Sequence, residues 1–162
     1  MNIFGHKDTF QFRPITKVDE ENVRKIIFSA LEDYGLKVNK EGVDSDLFDI
    51  VEHYKKGIFG VIEEISTRHI VGSFALYPLT ETEIELRKMY IKKEFRGQGL
   101  GKWVIDFCEA YAQREGYEAI SLETASVLKE AKALYLAKGY EIVPQENHTP
   151  RCDILMRKWI KN

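Results

Sequence analysis

The sequence predicts an α/β fold in which helices cover a mixed β-sheet. Between residues 58 and 91, apolar side chains alternate with a period of two, which is typical of strands. Before and after this stretch they recur every three or four positions, as on one face of a helix. A glycine-containing loop over residues 96–102 joins the last of these strands to a helix, which indicates a crossover between parallel strands. The predicted order of elements is β-α-α-β-β-β-α-β-α-β-β.

The N-terminal part predicts one strand and one long helix. Residues 10–14 form the expected first strand, which ends at Pro14 because proline has no backbone donor. A helix is expected from Thr16, because Thr16 and Asp19 have the spacing of a capping box. Gly35 is a suitable residue to end this helix.

A polar stretch and a second helix follow. The helix is predicted over residues 46–56, with its apolar positions on one side and Gly57 at its end. The polar stretch, residues 37–44, separates it from the first helix. Because loops held by rigid elements often carry binding residues, we expect this stretch and the second helix to form one wall of a substrate pocket.

The period-two region predicts antiparallel strands. Residues 58–65 and 70–77 are rich in β-branched and aromatic side chains, and the polar residues between them predict a hairpin. A third strand, residues 83–91, leads into the glycine loop. The remaining predicted elements are a helix from Leu100 to Gly116, a strand over 119–124, a helix over 127–138, a strand over 140–143 and a strand over 153–159.

Length and composition fit a single domain spanning residues 1–162. The formal net charge of −2 and the pI of about 6.1 argue against nucleic-acid binding through a general basic field. The sequence has no signal-peptide pattern and no apolar run of membrane-spanning length, so we expect a cytoplasmic protein that does not bind membranes. Cys108 and Cys152 form no CxxC motif and the histidines lack ligand spacing, so neither a disulfide framework nor a metal site is expected.

The loop over residues 96–102 has the properties of an anion-binding site. Gly97, Gly99 and Gly101 allow positive φ angles and a close approach of the backbone to a ligand. The helix that follows leaves its first amides without intrahelical partners, and its dipole favours an anion there. Arg96 and Lys102 add positive charge on either side. The loop therefore predicts a pyrophosphate site; a tight turn without a ligand is the less favoured alternative.

The spacing excludes two common phosphate-binding motifs. A Walker loop needs a glycine five residues before its Gly-Lys pair and a hydroxyl after it, but Arg96 and Trp103 occupy these positions. A dinucleotide fingerprint needs a third glycine where this chain has Lys102 or Val104. An ordinary nucleotide-binding α/β domain is therefore disfavoured.

The loop resembles the Arg/Gln-x-x-Gly-x-Gly/Ala motif of the GNAT superfamily of acyl-CoA-dependent N-acyltransferases. The resemblance is strongest over residues 71–143 and extends to the order of the predicted elements. The matching pieces are Val71-Gly72, the strand Glu85-Leu86-Arg87-Lys88-Met89-Tyr90-Ile91, the loop Arg96-Gly97-Gln98-Gly99-Leu100-Gly101, and Ala131-x-x-Leu134-Tyr135-x-x-x-Gly139-Tyr140. Their order and spacing together are more specific than any one piece.

The resemblance implies a GNAT-like fold with acetyl-CoA as co-substrate. The strands over 83–91 and 119–124 would splay apart, and the pantetheine arm would lie in the gap. The implied cofactor-binding residues are Met89, Tyr90 and Ile91 on the strand, and Arg96, Gly97, Gln98, Gly99, Gly101 and Lys102 in the loop. No metal is implied.

Two residues are candidates for the proton transfers of acyl transfer to an amine. Glu85 is the candidate base, acting directly or through a water molecule, although a solvated carboxylate is an equally weighted alternative. Period-two parity would place it on one face with Arg87, Met89 and Ile91 if no bulge intervenes. The resemblance implies that the Tyr135 hydroxyl protonates the leaving thiolate; periodicity alone predicts a core aromatic residue.

The sequence leaves several alternatives open. Many relatives have asparagine where this chain has Leu128, so a cofactor contact is either missing or supplied by Ser126 or Lys129. This departure favours a non-catalytic acyl-CoA-binding or regulatory module as the main alternative to an N-acetyltransferase. Acidic residues near the pocket favour a cationic amine, on a small molecule or peptide, whereas Arg87 or Arg151 could select an amino acid carboxylate. Exposed sheet edges allow a homodimer.

Overall fold

A computed structural model describes residues 4–144 and 151–160 of the chain. In this part the strands form one mixed sheet, whose spatial order is β1-β2-β3-β4-β5-β6-β8-β7. The strands are β1 (Gly5–Lys7), β2 (Phe10–Pro14), β3 (Ile58–Glu64), β4 (Ile70–Pro78), β5 (Glu83–Ile91), β6 (Ala119–Thr124), β7 (Glu141–Val143) and β8 (Ile154–Trp159). The α-helices are α1 (Glu20–Asp33), α2 (Ile50–His53), α3 (Leu100–Arg114) and α4 (Lys129–Ala137). The predicted α/β class and mixed sheet are confirmed.

Strands β5 and β6 separate soon after they begin. They are parallel neighbours, whereas the other neighbouring strands of the described sheet are antiparallel. Their pairing covers Glu83 to Glu85 opposite Ala119 to Ser121 and stops there, although β5 continues to Ile91. The backbone groups of the second half of β5 therefore face a gap, as the predicted splayed strands require.

Each face of the sheet carries its own apolar core. Helices α3 and α4 cover one face, where Phe12, Phe74 and Val104 are fully buried. Helix α1 covers the other face, with Ile27 and Leu47 fully buried. The two cores therefore lie on opposite faces of the sheet.

Two N-terminal elements differ from the sequence prediction. Strand β1 was not predicted, because a segment of three residues is too short to show a hydrophobic period. It forms by pairing with β2. Phe4, which precedes it, packs on Phe107 with 5.3 Å between the ring centroids. The predicted helix over 46–56 is instead a 3₁₀ turn, Ser45–Phe48, followed by the short helix α2. The Glu20 carboxylate accepts a hydrogen bond from the Ile50 amide at 2.9 Å, so a distant residue starts α2.

A β-bulge in β5 corrects the predicted parity. Arg87 lies opposite Ala75 and Tyr90 lies opposite Ser73, so two residues of β5 occupy the place of one. Glu85 and Arg87 consequently share a face with Tyr90, and not with Met89 and Ile91 as unbroken alternation predicts. The bulge thereby turns Met89 and Ile91 towards the α3 side.

Candidate active site

The glycine loop has the backbone conformation that its sequence predicts. Gly97 and Gly99 have φ angles of 77° and 82°, which disfavour residues with a side chain. Gly101 is needed for a different reason: a Cβ atom there would lie 2.9 Å from Cδ2 of Leu134 on α4. The three glycines therefore shape the loop and allow α3 and α4 to approach each other.

The start of α3 presents unpaired backbone donors. The amide of Trp103 donates to the Gly99 carbonyl oxygen at 3.0 Å, which is the first hydrogen bond of the helix. The amides of Leu100, Gly101 and Lys102 precede this bond and lack intrahelical acceptors. No side chain caps them, because Gly99 is the N-cap residue. The site therefore has donors and a helix dipole for an anion.

A groove of about 290 Å³ runs along this loop, and we call it the loop groove. Its walls come from the loop, from β5 and from α4, and Leu128 and Ala131 supply part of the α4 wall. Met89, Tyr90, Ile91, Arg96, Gly97, Gly99, Gly101 and Lys102, all predicted cofactor-binding residues, line it. Gln98, the remaining one, is exposed in the loop. The structure thus brings the predicted cofactor-binding residues together around one groove.

The two charged residues of the loop are held in different ways. Arg96 donates from Nε to the Ile91 carbonyl oxygen at 2.8 Å and from Nη1 to the Tyr34 hydroxyl at 3.0 Å. Lys102 is exposed and pairs with Asp106 at 3.0 Å, one turn along the helix. Arg96 is therefore fixed at the groove, whereas Lys102 contributes mainly its backbone amide.

A narrower cavity of about 70 Å³, the central passage, lies between the splayed strands. It shares Met89, Tyr90 and Leu128 with the loop groove. Tyr135 lines the passage, and its hydroxyl has no hydrogen-bond partner among residues 4–144 and 151–160. Burial raises the pKa of this hydroxyl, so Tyr135 carries its proton at neutral pH.

A third cavity of about 310 Å³, the charged pocket, adjoins the passage on its far side. The two cavities share residues of β5 and also Glu123, Arg151 and Cys152. Glu85 and Arg87 line the charged pocket, and Arg87 donates from Nε to the Glu85 carboxylate. The Arg87 guanidinium also lies 4.4 Å from the centre of the Tyr77 ring. The candidate base is therefore on the opposite side of the gap from the loop groove.

The environment of Glu85 makes its carboxylate a better proton acceptor. Burial raises the pKa of Glu85, and the neighbouring carboxylates of Glu123 and Glu83 raise it further, although Arg87 opposes them. A carboxylate with a raised pKa lies closer to the operating pH of a general base. This burial disfavours the alternative of a solvated carboxylate.

Buried ion pairs form the wall of the charged pocket that residues 37–48 contribute. The Asp44 carboxylate is fully buried and accepts hydrogen bonds from both terminal nitrogens of Arg151. Lys88 lies 3.1 Å from Asp44 and 3.2 Å from Asp46. The Tyr54 hydroxyl donates to Asp46. The predicted wall is thus present, and cationic partners hold its carboxylates.

Sequence reasoning missed several residues of the site. Tyr34 lines the loop groove and anchors Arg96, although it lies 62 residues earlier. Asp44 was predicted only as part of a polar stretch, and its pairing with Arg151 spans 107 residues. Nothing local in the sequence indicates such a pairing. Residues 145–150, which lie between the predicted strands over 140–143 and 153–159, are outside the described residues.

The two cysteines lie in different environments. Burial raises the pKa of the Cys108 thiol well above its ordinary value. Cys152 is partly buried and lines the charged pocket. Among residues 4–144 and 151–160, no group of three or more His, Cys, Asp or Glu side chains is arranged to hold a metal ion. No helix in the same part of the chain has the length and apolarity needed to cross a membrane.

Comparison with known proteins decides the family. A model described as the Acetyltransferase (GNAT) family matches residues 24–140, which include β5, the glycine loop and α4. The chain belongs to this family. The GNAT protein is 32% identical, over 136 residues, to the uncharacterized N-acetyltransferase YjgM of Escherichia coli K12, and the match covers 80% of each chain. It is 28% identical to human N-acetyltransferase 8, over 71% of this chain and 55% of that one.

Solved structures of GNAT proteins share the fold. An acetyltransferase of the GNAT family from Staphylococcus aureus Mu50 superposes with a TM-score of 0.86 at 19% identity, covering 94% of this chain and 99% of that chain. The yncA putative acetyltransferase from Salmonella typhimurium, solved with acetyl-CoA, has a TM-score of 0.74 at 17% identity, covering 95% of each chain. The family match and the N-acetyltransferase relatives identify the chain as an acyltransferase, and the solved structures share its fold.

Proposed function

We propose that this GNAT acyltransferase moves an acetyl group from acetyl-CoA to a primary amine by direct attack in a ternary complex. The observation that carries the proposal is the arrangement of three adjoining cavities: the central passage shares lining residues with the loop groove and with the charged pocket. Tyr135 lines the middle cavity and Glu85 the far one. A coenzyme and an acceptor can therefore approach the same point from opposite sides.

The loop groove fits the coenzyme. Free amides at the start of α3 would hold the pyrophosphate, with Arg96 beside them. The passage is wide enough for an extended arm and too small for a second bulky ligand. The edge of β5 that faces the gap at Met89 and Ile91 would bind that arm as a strand binds a neighbour. Leu128 supplies apolar wall where many relatives have an amide side chain, so this contact would be apolar in the present chain.

Two proton transfers are needed for the reaction. The bound coenzyme would supply an activated acetyl group as a thioester. An amine with a pKa of ~10.4 must lose a proton, and a thiolate with a pKa of ~8.5 gains one as it leaves. Glu85 would accept the amine proton, directly or through one water molecule. Tyr135 would donate its hydroxyl proton to the sulfur, so that the products are an amide and free thiol.

The charges of the pocket favour an amine that approaches as a cation. Arg151 and Lys88 are already paired with Asp44 and Asp46, which leaves Arg87 as the cation nearest the candidate base. Carboxylates of Glu85 and Glu123 line the same pocket. A cationic amine on a small molecule or peptide would be attracted to these carboxylates before it is deprotonated.

Calorimetric titration tests the first half of the proposal. We expect binding of acetyl-CoA and CoA, and weaker or undetectable binding of ATP. Binding of ATP without CoA would overturn the assignment in favour of a nucleotide-binding domain.

A thiol-release assay over pooled primary amines tests the second half. Release of CoA that depends on an amine supports the transferase, whereas binding without release supports the alternative of a non-catalytic acyl-CoA-binding module, which Leu128 favours. Cys152 lines the charged pocket, so Cys152→Ser separates the two chemical routes. Retained turnover supports direct attack, and lost turnover with a trapped acetyl-thiol would support a covalent intermediate.

A further inference from the structure

The bulge in β5 contains a residue in an unfavourable backbone conformation. Lys88 has a φ angle of 53°, which is uncommon for a residue with a long side chain. Lys88 and Met89 together lie between the pairs Ala75–Arg87 and Ser73–Tyr90. Such a conformation persists only where surrounding contacts impose it, and it occurs preferentially at functional sites.

The side chain and the backbone of Lys88 are both held. The Lys88 side chain is only 7% exposed, and its ammonium group donates to the Val43 carbonyl oxygen at 2.9 Å. The same group contacts the carboxylates of Asp44 and Asp46 at 3.1 and 3.2 Å. The Lys88 carbonyl oxygen accepts a hydrogen bond from Ser73 Oγ at 2.8 Å. Contacts from two other segments therefore fix one strained residue.

These anchors join the two sides of the site. Residues 43–46 belong to the wall of the charged pocket, and Met89, the next residue of the bulge, lines the loop groove and the central passage. Arg151 also binds Asp44, so the anchoring carboxylate is itself fixed. A shift of the Lys88 ammonium would thus be transmitted to the backbone of Met89.

We infer that Lys88 is a positioning residue, whose ammonium group clamps the bulge and so holds the Met89 backbone in the orientation that receives the pantetheine arm. The inference rests on the proposed function, because it assigns that arm to the central passage. Lys88 itself touches neither the reacting thioester nor the amine in this role.

The test separates the effect of the ammonium contacts of Lys88 from the effect of its positive φ angle. Lys88→Gly removes the ammonium group but accepts a positive φ more readily, so any loss of binding comes from the missing clamp. Arg68→Gly is the matched control, because Arg68 is also a non-glycine residue at positive φ, 64°, in the turn between β3 and β4. Each variant is titrated calorimetrically with acetyl-CoA and with adenosine 3′-phosphate 5′-diphosphate, the nucleotide half of the coenzyme.

We expect Lys88→Gly to weaken acetyl-CoA binding about tenfold and to leave binding of the nucleotide half within about twofold. Arg68→Gly should change neither. Unchanged acetyl-CoA binding in folded Lys88→Gly would overturn the inference, and so would an equal loss for both ligands, which indicates general distortion. Ser73→Ala removes only the hydrogen bond to the Lys88 carbonyl. It should also weaken acetyl-CoA binding without affecting binding of the nucleotide half, but by a smaller factor than Lys88→Gly.

Hydrogen exchange distinguishes failure of the clamp from failure of the proposed function. If the parent protein bound neither ligand, the proposed function would fall, but the clamp would still predict faster exchange over residues 86–91 and 39–46 in Lys88→Gly than in Arg68→Gly. Equal exchange in the two variants would overturn the clamp.

Discussion

The loop groove and the charged pocket lie on opposite sides of one gap, but they are built in different ways. The groove depends on backbone geometry: positive φ angles at Gly97 and Gly99 and free amides before Trp103. The pocket depends on side-chain charges that come from distant parts of the chain, such as Asp44 and Arg151. In the proposed function, local backbone would therefore bind the coenzyme, and a pocket held by long-range ion pairs would bind the acceptor.

Because of this difference, the loop groove and the charged pocket should be sensitive to different kinds of substitution. A backbone site tolerates many side chains but not a change of conformation. A buried ion pair, in contrast, depends strongly on each partner, because removing one leaves the other charge buried and uncompensated. Substitutions on the two sides should consequently affect different measurements.

The largest effect is expected at the chemical step on the acceptor side. Glu85→Gln removes the candidate base, so kcat/KM should fall by about 10²- to 10⁴-fold while acetyl-CoA affinity is retained. Because the pKa of Glu85 is raised above its ordinary value of 4.5, the acidic limb of the parent's kcat/KM profile should have its midpoint above pH 4.5. Steady-state kinetics across pH checks both. Full activity of the variant would remove Glu85 from the mechanism.

The next largest effect is expected on the free energy of unfolding, from a substitution beside the charged pocket. Asp44→Asn should lower the free energy of unfolding by about 3 kcal/mol, since Arg151 and Lys88 lose their shared carboxylate. Asp106→Asn is the control, because Asp106 is 42% exposed and its pairs with Lys102 and Lys138 lie at the surface. This control should cost less than about 1 kcal/mol. Urea denaturation of both variants measures the difference.

The difference in stability between the parent and Asp44→Asn should also depend on pH. The pKa of Asp44 is lowered in the folded protein by Arg151, the Asn39 amide and Lys88, against the opposing effect of burial, which is the largest single influence. The stabilisation is therefore complete above the ordinary pKa of 3.8 and is lost as the pH falls through the lower folded value. The gap in stability between parent and Asp44→Asn should narrow in acid. A gap that stays constant down to pH 2 would contradict the assignment.

A smaller kinetic effect is expected inside the central passage. Tyr135→Phe removes the hydroxyl but keeps the buried ring, so turnover should fall about 10²-fold with acetyl-CoA affinity nearly unchanged. Single-turnover kinetics and calorimetry check the two parts. Equal turnover in mutant and parent would return Tyr135 to the role of a core aromatic residue.

The smallest effect tests the loop groove. Gly99→Ala meets no close atom, with Lys7 Cε at 3.7 Å, so its cost is mainly the positive φ, about 1 kcal/mol. Gly116→Ala has a similar φ of 89° and open space around it, at the far end of α3. Both should lower stability similarly, but only Gly99→Ala should weaken acetyl-CoA binding several-fold. Equal binding by the two variants would show that this part of the loop is not a coenzyme site.

The two sides also differ in how far the sequence could predict them. The predicted residues of the loop groove lie together because most of them are close along the chain, from Met89 to Lys102. Glu85 lines the charged pocket, but the residues that share its face differ from those that unbroken alternation predicts, since the bulge at Lys88 reverses the parity of the strand beyond it. A bulge follows from contacts with other segments, here Val43 to Asp46, which have no local signal.

By itself, the sequence determined the order and type of most elements, the glycine loop and the family resemblance, because periodicity, capping and glycine conformation act over a few neighbouring residues. Only the tertiary structure decided the bulge, the hydrogen bond from the first amide of α2 to Glu20 and the ion pairs of Asp44. The physical reason is that a buried charge is stable only when distant partners surround it, and those partners become neighbours only after the sheet has formed.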